Sequence, residues 1–528
     1  MSPEDDDDPS GGNGGTSGSP DTAGTGDSAD SVGDESSGGV DPTGPDPTAG
    51  DDPDDPDDPD DPPQGAPLAR GIAWDSVQIN QGVAIALVDG GTVVQPGQRN
   101  ASVIAGRPTL VRGLWQLDAT FEPRELEARL IVEQGGTEEI YTDVRNVSGA
   151  PDASAVDGGF LWELPDDALD EGASLAFEIV ETDLSATSAS PDEGARLPSE
   201  GFTSAGVASG PHEMEVVIVP LRYVAGGGLT PDLDANARTI LENALYDQNP
   251  VTDLEVTYRA QVDYSGGVQT ANQLGDVLGF LSQLKSNDGA APQVYYAGVI
   301  NVGCFVVGCG NAGTTGVGYI PSASSNSSFQ RVSANVWYQP EGSSGTVVHE
   351  VGHNQGLSHV FCPGGGAGGT DPAYPHNNGQ LGVWGWGPKS DDIVGSNAYD
   401  YMSYCGPSWV SDWTWEKTRL RIEALSAFSV APVPTGPTTL LGHAYPDGSH
   451  SWFALQGGAA HDSVPALSVQ VVTEDGSVVT LHGNEGELSE GGGRWVAARV
   501  PDDVIDFTAV RWRHDGIETE TSVDAIAR

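Results

Sequence analysis

One stretch, His349-Glu350-Val351-Gly352-His353-Asn354-Gln355-Gly356-Leu357-Ser358-His359, restricts what this chain can fold into more than any other. If residues 346–355 are helical, His349 and His353 lie four positions apart and project from one face, where both imidazoles can hold one Zn²⁺. Glu350 sits beside the first of them. A carboxylate there can take a proton from a water that the zinc has acidified. The helix must then stop: Gly356 can adopt the left-handed conformation that ends it, and the chain can turn back so that His359 supplies a third nitrogen. Three protein ligands leave one position open, the arrangement of a catalytic rather than a closed structural site.

The full pattern is more specific than HExxH alone, which arises by chance on helix surfaces. It resembles the metzincin zinc peptidases, whose HExxHxxGxxH motif matches His349, Glu350, His353, Gly356 and His359 position by position. That family has a Met-containing turn beneath the metal, and this chain reads Asp400-Tyr401-Met402-Ser403-Tyr404-Cys405 downstream, with only three Met in all. The resemblance implies that Met402 packs under the imidazoles. It also implies that Tyr404 ligates the metal or hydrogen-bonds the developing oxyanion, as in members with Tyr two positions after the Met. Val360, after the third His, does not place the chain in one metzincin family; the match looks most like bacterial secreted members with accessory β-domains.

Four Cys, at 304, 309, 362 and 405, form no C-x-x-C pair and so no zinc-ribbon spacing. A Cys362–Cys405 bridge would pin the segment after the third His to the Met turn, and Cys304 with Cys309 would close a small loop. Oxidation is the favoured expectation, as in loop-rich extracellular enzymes, with four free thiols as the other reading. Against it, the first residues, Met1-Ser2-Pro3-Glu4 and the Asp run after them, show neither the basic nor the apolar region of a signal peptide. Extracellular or cell-surface placement is the expectation, with the route of export left open.

At 528 residues the chain is long enough for several cores, and its 22 basic against 77 acidic residues give a formal charge of -55. Nucleic acid and anionic membranes would repel it. No apolar run approaches the roughly 20 residues of a membrane span. Residues 1–67 hold no Lys or Arg and end in Asp-Asp-Pro units; they cannot bury enough apolar surface to offset ordering entropy, and read as a disordered tail or stalk. Calcium binding by the Asp run is the alternative.

Residues 68–210 carry short alternating apolar runs at 77–79, 109–115, 128–132 and 175–180 between Gly, Pro, Asp and Asn turns, the pattern of an antiparallel β-sandwich. A propeptide role is open to this segment. A cysteine switch is not, because no Cys precedes Cys304. Residues 211–430 alternate strands and helices, as an α/β zinc peptidase domain would. Expected strands lie at 214–221, 254–262, 294–302 and 331–338. Expected helices begin at Thr230-Pro231 and at Thr270 with Gln273 as capping partner, and one spans 413–425. About forty Gly-, Asn- and Asp-rich residues separate Cys362 from Tyr401, in which Trp384 and Trp386 are candidates to line a cleft and His376 to be a spare ligand. Residues 431–528 read as a second small β-domain with a hairpin around Asp475-Gly476; Trp452, Trp495 and Trp512 there either bind glycans or pack a core.

The fold expectation is therefore multidomain: a metzincin-like α/β catalytic domain flanked by β-sandwich-like domains behind a disordered acidic tail. Two functions compete. One is a zinc endopeptidase acting on extracellular proteins or glycoproteins; the other is a surface binding or adhesion protein whose metal site is structural or degenerate. Glu350, not needed to hold a metal, favours the first.

Overall fold

The computed structural model describes residues 66–526 except 184, 186–189, 269, 304–313, 429–437, 457–468, 503, 505, 515 and 516. All but the last two residues of the stalk expected over residues 1–67, with its Asp run, and the Cys304–Cys309 pairing lie outside the described residues. The described part is mostly β, with four α-helices among the described residues.

The alternating runs before residue 210 form two antiparallel sheets. One orders its strands Thr92–Val93, Ala84–Asp89, Ile72–Asn80, Thr109–Leu117 and Phe160–Leu164; the other orders Arg196–Leu197, Ser174–Glu181, Arg124–Gln134 and Thr137–Val147. Period-two alternation, reset by a bulge between Trp74 and Ser76, puts Trp74, Val77 and Ile79 of the first sheet and Leu126, Ala128, Leu130 and Phe177 of the second into one buried cluster. Trp74 makes edge contacts with Phe160 and, across the sheets, with Phe177, at 5.8 and 6.5 Å.

A mostly parallel sheet follows, ordered Asp253–Tyr258, Glu213–Tyr223, Tyr295–Ile300, Val332–Val336 and Gly316–Gly318, the last antiparallel and at the edge. The helices are α1 (Ala235–Asp247), α2 (Ala271–Asp288), α3 (Pro340–Asn354) and α4 (Asp412–Ser426). Both sheet faces are covered, so its central strand Tyr295–Ile300 is buried along its whole length. Val216, Ile218, Ala297 and Val299 share a cluster with Leu241 and Leu245 of α1 and Val347, Val348 and Val351 of α3. Val219, Leu221, Val332 and Val336 face Leu274, Val277, Leu278 and Leu281 of α2.

Several expected boundaries move. The first helix starts not at Thr230-Pro231 but at Ala235, because the Asp234 carboxylate accepts the Ala237 N–H at 2.8 Å and is the stronger cap. The strand expected over 254–262 is broken into Asp253–Tyr258 and Val262–Tyr264; Arg259 between them turns its guanidinium to Asp288 on α2, at 2.8 and 2.9 Å. Thr270 caps α2 as expected, accepting the Gln273 N–H at 3.2 Å. The metal-bearing helix extends further N-terminally than 346, since Pro340 fits its first turn.

After residue 438 the chain forms two four-stranded antiparallel sheets. Val469–Thr473 and Val478–Thr480 pair around the expected Asp475-Gly476 turn. Trp452 and Trp512 are buried 5.7 Å apart, and Trp495 packs 6.1 Å from Tyr319, so all three tryptophans serve packing rather than a glycan platform. Leu441, Phe453 and Trp495 share the cluster that covers α2.

Arg107 fastens the first sheets to α1. Its side chain is 1% exposed, and its nitrogens donate to the carbonyls of Gln81 (2.6 Å), Val251 (3.0 Å) and Tyr246 (2.8 Å). The guanidinium also stacks 4.1 Å from the Tyr246 ring. Burial pulls its pKa down, opposed by Tyr246 and Asp247. Arg107→Met removes these donors and strands buried carbonyls, and is expected to cost about 2–4 kcal/mol. Urea unfolding followed by tryptophan fluorescence checks this; an unchanged midpoint would deny Arg107 that role.

Candidate metal centre

The three histidines come together as their spacing requires. Helix α3 carries His349 and His353 on one face and ends at Asn354, with Gln355 as its C-cap. Gly356 then takes φ +88°, the Leu357 N–H returns to the Gly352 carbonyl at 3.1 Å, and the chain doubles back to His359. A side chain at Gly356 would be strained, and its Cβ would also meet the Arg421 guanidinium at 2.2 Å.

Each imidazole is oriented by a backbone carbonyl. His349 Nδ1 donates to Tyr401 (2.7 Å), His353 Nδ1 to Leu357 (2.8 Å) and His359 Nδ1 to Gly368 (2.7 Å). A carbonyl can only accept, so the proton of each neutral ring sits on Nδ1 and its Nε2 carries a bare lone pair. Those lone pairs converge. His353 and His359 Nε2 lie 3.1 Å apart, and His349 Nε2 is buried without a hydrogen-bond partner. Acceptors facing each other at this range repel unless a cation lies between them, so the donor set fits a metal, and three imidazole nitrogens suit zinc. Burial lowers the His349 pKa to about 4 and that of His353 well below the usual imidazole value, which keeps both rings neutral and able to ligate.

The turn beneath the helix is held by a buried carboxylate. Asp400 accepts the Met402 N–H (2.8 Å) and, from the start of α4, the Ser411 hydroxyl (2.5 Å) and Thr414 hydroxyl (2.6 Å). Met402 is fully buried, and its sulfur lies so close to Gly352 of α3 that a Cβ there would stand 2.7 Å from it. The Cys362–Cys405 disulfide is formed and ties the segment after His359 to this turn. Tyr404 extends its hydroxyl to 3.3 Å from His359 Nε2.

Glu350 is 2% exposed, and burial pushes its carboxyl well above the usual range; the Glu490 charge adds to this and the Ser489 hydroxyl opposes it. Glu490 was not anticipated from the sequence. It joins His349, His353 and His359 in a group whose ligand atoms all lie within 4.8 Å of one another. A lone Glu between Ser489 and three Gly in a distant hairpin carries no ligand signature.

Other candidates lie elsewhere. His376 Nε2 pairs with Asp412 at 2.6 Å and is no spare ligand. Trp384 donates to Gln78 at 2.8 Å and stacks on Arg112, while Trp386 donates to Asp391 at 3.1 Å; both lie against packing partners and neither contacts the histidines.

A HExxHxxGxxH helix, a return turn and three convergent imidazoles define a metallopeptidase centre. Residues 238–360 match the model described as metallo-peptidase family M12B, reprolysin-like, so this part of the chain is similar to a metallopeptidase domain. The match runs from α1 to the residue after His359 and stops short of Met402, Tyr404 and Glu490. No curated protein sequence matches the chain. Among solved structures, one described as "Structure of a chaperone-substrate complex" aligns at 15% identity and a TM-score of 0.24 over 51% of this chain and 40% of that chain. No helix among the described residues is long and apolar enough to cross a membrane.

Gly356→Ala is expected to cost about 1–3 kcal/mol and to weaken metal binding, because a side chain is forced into left-handed backbone beside Arg421. Thermal melting and a zinc titration read the two effects; parent-like values in both would show that the turn tolerates Ala. Replacing both Cys362 and Cys405 by Ser, which opens a link across 43 residues, is expected to cost up to about 4 kcal/mol, read by urea unfolding.

Proposed function

We propose that the protein is a zinc-dependent endopeptidase acting on extracellular protein or glycoprotein substrates. The observation that carries this reading is the convergence of three imidazole Nε2 atoms beside Glu350, a carboxylate not needed for ligation, on the helix that carries two of them. Zinc bound by His349, His353 and His359 supplies Lewis acidity towards a water and the scissile carbonyl. Glu350, held by α3 next to the first imidazole, takes the proton of the water and passes it to the leaving amine nitrogen. The Tyr404 phenol, whose proton is held tightly because burial and Glu490 both raise its pKa, donates to the oxygen on which negative charge develops. Met402 supports the floor of the site through α3. In this reading residues 211–430 carry the chemistry, the β-rich segments 68–210 and 431–528 flank it, and residues 1–67 are a spacer.

One observation favours the competing reading, a binding protein whose metal is structural: Glu490 stands where a fourth protein ligand would close the site.

Purified without chelator, the protein is expected to hold one zinc per chain and to hydrolyse an unfolded protein in a chelator-sensitive manner. Metal analysis finding no zinc would sink the reading. Glu350→Gln is expected to keep its zinc while turnover falls by about two orders of magnitude or more, since an amide cannot take the proton. Tyr404→Phe should likewise keep zinc and lose about 10²–10³ in kcat, with little change in KM. Parent-like kcat would reduce Tyr404 to packing.

A further inference from the structure

The strands His482–Glu487 and Arg494–Arg499 form a hairpin whose tip enters the metal centre, with Glu490 lying 131 residues beyond His359 in sequence. The base of the hairpin is fixed. Leu488 is buried, its N–H bonds the Gly493 carbonyl at 2.8 Å, and Trp495 packs edge-on against Tyr319 and Phe329 at 6.1 and 6.2 Å. The tip is held differently, by polar contacts ahead of Gly491 and Gly492, both at positive φ.

Two of those contacts are to Gly318. The Ser489 N–H donates to its carbonyl at 3.1 Å, and the Ser489 hydroxyl accepts its N–H at 2.9 Å. Gly318 ends the edge strand, whose other side is paired with Val332–Val336, so Ser489 occupies the backbone groups to which an extended peptide would add. The same hydroxyl lies 3.4 Å from Glu350. One residue on, Glu490 Oε1 lies 2.8 Å from His359 Nε2 and accepts from the Tyr404 hydroxyl. Because His359 Nδ1 faces the Gly368 carbonyl, Nε2 is the nitrogen turned to the carboxylate. The carboxylate therefore joins the three imidazoles in one group of ligand atoms, all within 4.8 Å of one another, and is placed to share the cation that they call for.

We propose that Glu490 is a fourth protein ligand of the metal and that the 489–492 tip is a resident plug, so that the chain rests mainly in a closed form and hydrolyses only through the fraction whose tip has withdrawn. This rests on reading the three histidines as a zinc site. The carboxylate takes the coordination position that a substrate group needs, Ser489 covers Glu350, and the edge strand is occupied. Withdrawal breaks these contacts while Leu488 and Trp495 stay in the core, with the two glycines free to turn.

The test uses the full chain and its Glu490→Gln and Glu490→Ala variants, loaded with zinc or with cobalt. Glu490→Gln retains an acceptor for Tyr404, so a merely structural Glu490 would leave the metal unaffected. Both variants are expected to change the visible cobalt spectrum and to bind zinc about 10–100-fold more weakly. Acetohydroxamate is expected to bind them about tenfold or more tightly than it binds the parent, because it no longer competes with a resident ligand. Cobalt spectra and hydroxamate affinities identical to the parent's would overturn the proposal, and a parent that binds neither metal would overturn it together with the zinc reading. Changed spectra and tighter hydroxamate binding, without hydrolysis of an unfolded protein, would uphold the plug and sink the peptidase reading.

Discussion

The centre depends on three hydrogen bonds from imidazole Nδ1 atoms to backbone carbonyls. They fix the tautomer of each ring and so aim three lone pairs at one point. The accepting carbonyls belong to Tyr401, Leu357 and Gly368, which lie in the Met turn, the return after α3 and the long loop. Each of these irregular segments thereby becomes part of the metal site without supplying a ligand. Their anchoring explains much of the surrounding structure: Asp400 fastens the Met turn to α4, the disulfide joins it to the loop, and the Lys417 ammonium, 2.7 Å from Asp371, ties the loop to α4 again.

What sequence could reveal depended on how local the determining physics is. The HExxHxxGxxH spacing is set by helical periodicity and a single left-handed glycine, so His349, His353 and His359 were legible, and so was the turn carrying Met402. Strands with two-residue alternation in the first sheets were equally readable. Helix starts were less so: Thr230-Pro231 and Asp234 both offer caps, and the second wins through the bond that its carboxylate accepts from the Ala237 N–H. The Gly316–Gly318 strand has almost no side chains with which to declare itself; its pairing with Val332–Val336 makes it a strand. Glu490 was invisible for a stronger reason. Its place among the histidines results from how a distant hairpin packs on Tyr319 and Phe329, and nothing near it in sequence encodes that.

Aromatic and ionisable residues in the long loop show the same limit from the other side. Trp384, Trp386 and His376 have the chemistry of a substrate cleft or a ligand, but residue type does not say which surface a loop will cover. Gln78, Asp391 and Asp412 supply the partners that decide it. The tryptophans after residue 438 are likewise buried against strands of their own sheets or against the helical layer.

The separation of 131 residues between His359 and Glu490 also has a consequence in time. At ribosomal rates of about 5–20 residues per second, the third imidazole emerges roughly 7–26 s before the carboxylate. During that interval the helix, the return turn and the Met turn can assemble around an ion while the hairpin does not yet exist. A nascent chain therefore passes through a stage in which the centre is complete except for the group that finally covers it.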